Sequence, residues 1–97
     1  MDGMVRLEVS RNGAKALRTI SAEMGKIYNQ IMLADHELLN VVLPLKDDLG
    51  PKAERIRKIH DDVHDKNEAS QRSLMQLMQK LSELADKIDR FCDKAES

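Results

Sequence analysis

The chain has 97 residues, 34% of them charged, with 16 Lys and Arg against 17 Asp and Glu and a formal net charge of −1. That balance excludes a general binder of nucleic acid or anionic membrane, either of which needs a basic face, and the length allows one small domain, 1–97. Aromatic residues make up 2%, with no Trp, while Gly and Pro number only 4 and 2, so the composition reads as long helices without large ring anchors.

In chain order, Val5, Leu7 and Val9 alternate with polar residues, which predicts a short extended arm over 1–9. Ser10 is the candidate N-cap of a first helix over 10–45, since its hydroxyl can accept from the open amides of a first turn. Along that helix Leu17, Ile20, Met24, Ile27, Ile31, Ala34, Leu38, Val41 and Leu45 recur at alternate spacings of three and four. This is a heptad seam, the period of helices packed at shallow angles. Tyr28, Met32, Leu39 and Val42 widen it into a stripe that a single partner helix cannot cover.

A turn is expected over 46–51, where Leu49, Gly50 and Pro51 combine a helix breaker with a proline suited to a first helical position. Pro44 removes one amide near the end of the first helix and is expected to loosen it. The second helix spans 52–95, with a seam of Ile56, His60, Val63, Asn67, Ser70, Leu74, Leu77, Leu81, Leu84, Ile88, Phe91 and Ala95. Its outer faces carry acid-first pairs four apart, among them Asp62/Lys66 and Glu68/Arg72, the favourable order for surface pairs. Two long helices joined by so short a connection fold back on each other. The expected fold is therefore all-α: an antiparallel two-helix hairpin that pairs into a four-helix bundle to bury its excess apolar surface.

Chemistry has few footholds. His60 and His64 of "HDDVHD" share a helix face, and folding about residue 48 would bring His36 level with His60. These three imidazoles are the candidate metal ligands, but no Glu lies on either seam and a polar notch in the packing explains them as well. Cys92 is the only cysteine, so neither an internal disulfide nor a thiolate cluster can form. There is no phosphate-binding glycine loop, no nucleophile in a defined context and no inward carboxylate pair, so no enzyme activity and no cofactor are expected. No apolar run approaches the roughly 18 residues of a membrane helix, and no cleavable leader is visible. The expectation is a protein made in the cytoplasm, without membrane insertion, and exported, if at all, without a cleaved signal.

These features together resemble the WXG superfamily of small type VII secretion proteins: a chain of this length, a start of the form Leu7-Glu8-Val9-Ser10, two long helices, and a central turn with Gly50. They also resemble the small helical targeting partners of LXG toxins. Two positions depart from the family pattern. The Trp-x-Gly triplet becomes Asp48-Leu49-Gly50, and the acid expected four residues after Phe91 is Ala95, with Glu96 one residue further on. The resemblance implies helix–helix association as the activity. The partner would be a second copy, another WXG-like hairpin, or the N-terminal helical domain of an LXG toxin, and the two departures fit a subunit completed by its partner. The residues expected to carry the interface are Leu17, Ile20, Met24, Ile27, Ile31 and Leu38 of the first helix with Leu74, Leu77, Leu81, Leu84 and Ile88 of the second. A coiled-coil adaptor unrelated to secretion is the alternative, and a metal-binding bundle a more distant one.

Overall fold

The computed structural model describes residues 6–96, except the side chain of Lys46. Within them every residue from Glu8 onward is helical and no strand occurs: α1 spans Glu8–Leu49, a single 3-10 turn covers Gly50–Lys52, and α2 spans Ala53–Glu96. The extended arm expected over 1–9 does not reach its last two residues, since Glu8 and Val9 are helical. Residues 1–5 lie outside the described residues, Val9 is helical, and α1 opens with the Arg11 amide donating to the Leu7 carbonyl at 2.9 Å. Ser10 sits inside the first turn rather than at its cap.

Pro44 does not end α1, which continues five residues past it. A proline in a helix removes one hydrogen bond and crowds one carbonyl, and here the flanking turns hold. What ends the helix is Gly50, whose φ of +55° places it in the left-handed region that L side chains rarely adopt. Pro51 follows in the 3-10 turn, and the Ala53 amide donates back to the Gly50 and Pro51 carbonyls. Glycine thus closes the first helix and proline opens the second, the usual asymmetry of helix ends.

The chain divides into two compact units. In the terminal unit, Met1–Gly25 with Met75–Ser97, positions rising along α1 meet positions falling along α2. Arg11 donates to Asp93 at 3.1 Å and to Glu96 at 2.7 Å, and Arg18 reaches Asp86 at 2.8 Å and Asp89 at 2.7 Å. The hydrogen bonds that Arg11 donates to Glu96 and Asp93, and Arg18 to Asp86 and Asp89, push both guanidinium pKa values up. Between the helices lie small residues: Ala14, Ala85 and Cys92 are fully buried, and Ser21 is nearly so. The Ser21 hydroxyl donates to the Met78 carbonyl at 3.4 Å, and a methyl group added at Gly25 would meet the Met78 Cε at 3.3 Å. Small side chains let helix backbones approach closely.

In the middle unit, Lys26–Leu74, the half-buried positions include Tyr28, Ile31, Asp35, Leu38, Val42, Leu45 and Leu49 of α1 and Ile56, His60, His64, Asn67, Gln71 and Leu74 of α2, with Ala53 buried. On the outer surface of α2 the expected acid-first pairs Asp62–Lys66 and Glu68–Arg72 form at 3.0 and 4.0 Å.

Replacing Gly50 by Ala is expected to destabilise the fold by about 1–2 kcal/mol, the cost of a left-handed residue with a Cβ. Thermal unfolding followed by circular dichroism measures it, and an unchanged midpoint would contradict the assigned role of Gly50.

Candidate functional site

The packed positions follow a heptad repeat. On α1 they are Ala14, Ser21, Tyr28, Asp35 and Val42 (a) alternating with Leu17, Met24, Ile31, Leu38 and Leu45 (d). On α2 they are His64, Gln71, Met78, Ala85 and Cys92 (a) with His60, Asn67, Leu74, Leu81 and Ile88 (d). Half of the residues expected in the seam are here and half are not. Leu17, Met24, Ile31, Leu38, Leu74, Leu81 and Ile88 are packed within the chain, whereas Ile20, Ile27, Leu77 and Leu84 are each more than two-fifths exposed. Ala34, Val41, Val63, Ser70, Phe91 and Ala95 are exposed as well.

These exposed residues, all but Ala95 of them, occupy the g positions, one step round the helix from the seam. In the terminal unit they are Ile20, Leu77, Leu84 and Phe91, the last with 66% of its surface open. In the middle unit they are Ile27, Ala34, Val41, Val63 and Ser70. The correction has a physical cause. A spacing of three and four is satisfied equally by the series 14, 17, 21, 24 and by the series 17, 20, 24, 27, and only contact between the helices selects one. Small Ala14, Ser21, Ala85 and Cys92 allow the closer approach, so they lie inside and the bulkier aliphatic residues remain outside.

A polar cluster interrupts the seam of the middle unit. Asp35 Oδ2 meets His64 Nδ1 at 2.6 Å, and Asp35 Oδ1 accepts from Asn67 Nδ2 at 2.9 Å. His64 Nε2 lies 3.0 Å from Glu68, and its ring stacks on His60 with centroids 6.2 Å apart and planes 9° from parallel. His60 Nδ1 faces Asp61 at 3.3 Å, while its buried Nε2 has no hydrogen-bond partner among the described residues. His60 also lines a cleft of about 230 Å³ with Leu39, Val42, Leu45, Ala53 and Ile56. The residue meeting α2 here is Asp35, and the expected level pairing of His36 with His60 does not occur: His36 is exposed. Among the described residues no group of three His, Cys, Asp or Glu side chains is placed to hold a metal ion.

The Asn67 and His64 hydrogen bonds hold the Asp35 carboxyl below its ordinary pKa, and the Asp35 hydrogen bond raises that of His64. A lowered carboxylate contributes stability above its unfolded pKa and loses it as pH falls through the folded value. A raised imidazole contributes fully below its unfolded pKa and loses that as pH rises through the folded one. The cluster therefore stabilises most between roughly pH 4 and 6.5. The urea midpoint of the wild-type chain is expected to fall on both sides of this window, and Asp35→Asn to remove both slopes. A wild-type midpoint that does not fall between pH 6 and 9 would contradict the His64–Asp35 pair.

No helix among the described residues is long and apolar enough to cross a membrane. Comparison with protein-family models, with curated proteins and with solved structures returned no match.

Proposed function

We propose that this chain is a non-enzymatic association module: an antiparallel helical hairpin whose open apolar flank is covered by a second pair of helices to give a four-helix bundle. The observation that carries this reading is the exposed second stripe. In an antiparallel pair the two g positions flank the seam on the same side and the two e positions on the other. Ile20 thus shares a flank with Leu77, Leu84 and Phe91, and Ile27, Ala34 and Val41 share one with Val63. On the opposite flank of the terminal unit, the e positions hold Arg11 and Arg18 against Asp89 and Glu96. In the terminal unit the e side is bridged within the chain by these ion pairs, Met75 alone of its large apolar residues remaining exposed there. The g side presents aliphatic side chains and a phenyl ring to solvent, an arrangement that suits a protein-association surface.

The cellular setting that suits such a module is type VII secretion, in which a WXG-like chain acts as a small exported dimer or as the targeting partner of an LXG toxin's N-terminal helical domain. The absent tryptophan at Asp48 and the absent acid at Ala95 favour a subunit completed by its partner. Phe91 remains available as the ring of a recognition element, being the most exposed of the flank residues.

Leu77→Glu with Leu84→Glu tests the flank without touching the seam. Far-UV circular dichroism is expected to show unchanged helix content. Light scattering of the chain, alone and with an LXG N-terminal domain, is expected to show association weakened about 100-fold or more, at roughly 1.5–3 kcal/mol per buried leucine. Association that survives both charges would overturn the assignment of this flank.

A further inference from the structure

We infer that the cleft beside the turn of the middle unit binds a small neutral molecule: an apolar body with one hydroxyl, which donates to His60 Nε2. The inference is independent of the association flank, since none of the flank residues named above lines this cleft. Leu39, Val42, Leu43, Leu45, Ala53 and Ile56 supply most of its wall and enclose about 230 Å³. Leu39 and Leu43 are exposed, Ala53 is buried, and the His60 side chain keeps only 11% of its surface in solvent. The cleft therefore runs from open solvent to the imidazole. An apolar cavity of about 150 Å³ takes benzene, so this one has room for a ring of that size with a substituent or two.

The chemistry at the inner end follows from the two ring nitrogens. Nδ1 lies 3.3 Å from Asp61 Oδ1, and a carboxylate only accepts, so Nδ1 carries the proton of the neutral ring. Nε2 is then a bare acceptor. It is buried and has no hydrogen-bond partner among the described residues, an arrangement that costs free energy until a donor reaches it. A hydroxyl is such a donor. Water suits the place less, since a bound water needs two to four polar partners and six of the nine lining residues are aliphatic.

Charge sets the class of ligand. Arg57 and Asp61 both line the cleft, one of each sign, and both are exposed. A carboxylate drawn to Arg57 would meet Asp61, and an ammonium drawn to Asp61 would meet Arg57. Either ion would also lose hydration against an apolar wall. A neutral hydroxyl meets neither penalty, and its hydrogen is what Nε2 can accept. An apolar wall with a few placed polar groups is the usual form of a small-molecule site.

The test is a nuclear magnetic resonance titration of the full chain with p-cresol and with toluene, which differ only by the hydroxyl. The His60 Nε2 resonance is expected to move with p-cresol and to stay in place with toluene. In His60→Leu the preference for p-cresol over toluene is expected to fall about ten-fold, the size of one neutral hydrogen bond; an unchanged preference overturns the role of His60. Leu43→Asp, a change at an exposed lining position, is expected to weaken both ligands with helix content unchanged by circular dichroism. Undiminished binding in that variant places the ligands elsewhere and overturns the site. Tighter binding of p-toluate or benzylamine than of p-cresol overturns the neutral class. Binding lost in Leu77→Glu with Leu84→Glu puts the ligand on the association flank and overturns the cleft. Failure of both p-cresol and toluene to bind overturns the inference and leaves the association reading standing.

Discussion

Each helix of this protein carries two apolar series that share half their members, and only one of them can face the other helix. Leu17, Met24, Ile31 and Leu38 belong to both, so the choice falls on the residues between them. Packing selects Ala14 and Ser21 over Ile20 and Ile27, and Ala85 and Cys92 over Leu84 and Phe91, leaving the larger side chains in solvent. A seam filled with small residues brings backbones close and gains contact along the chain. The cost is an uncovered apolar flank, and the proposed association rests on it.

The middle unit obeys the same repeat with different chemistry. Asp35, His64 and Asn67 occupy a and d positions that would otherwise be aliphatic, and His60 places a buried nitrogen there without a partner among the described residues. Buried polar groups in a heptad seam lower stability, and their best-attested use is to fix register. Asp35 can satisfy both His64 and Asn67 only at one alignment of α1 and α2, because a shift by one residue would present His36 or Ala34. The polar notch thus favours one alignment of α1 and α2 within the middle unit.

Much of this was legible in the sequence. The two helices, the glycine–proline turn, the spacing of three and four, and the pairs Asp62–Lys66 and Glu68–Arg72 on α2 follow from local rules that the structure obeys, whereas Asp86 meets Arg18 of α1 rather than Arg90. What local rules could not decide is which of two equivalent series turns inward, since both satisfy the same period. The alignment was missed by a small step for a related reason. Placing the bend at residue 48 assumes that Pro44 weakens α1, whereas the helix passes through it to Leu49 and the turn lies at Gly50–Lys52. Moving the bend towards α2 carries Asp35 level with His64, in place of Met32, and takes His36 out of level with His60. The resemblance to WXG-like secretion proteins rests on length, turn and helix pattern, features that many helical pairs share, and it remains the proposed setting.

Seam and flank are separate surfaces, and Leu81 and Leu84 sit three residues apart on either side of that division. The most direct measurement is the thermal unfolding midpoint of Leu81→Ala and Leu84→Ala across a thousand-fold range of protein concentration. Leu81→Ala is expected to lower the midpoint by a similar amount at every concentration, since its contacts lie within one chain. Leu84→Ala is predicted to lower it only where wild-type chains are associated, with the difference vanishing on dilution. Equal losses for the two variants at all concentrations would contradict that division.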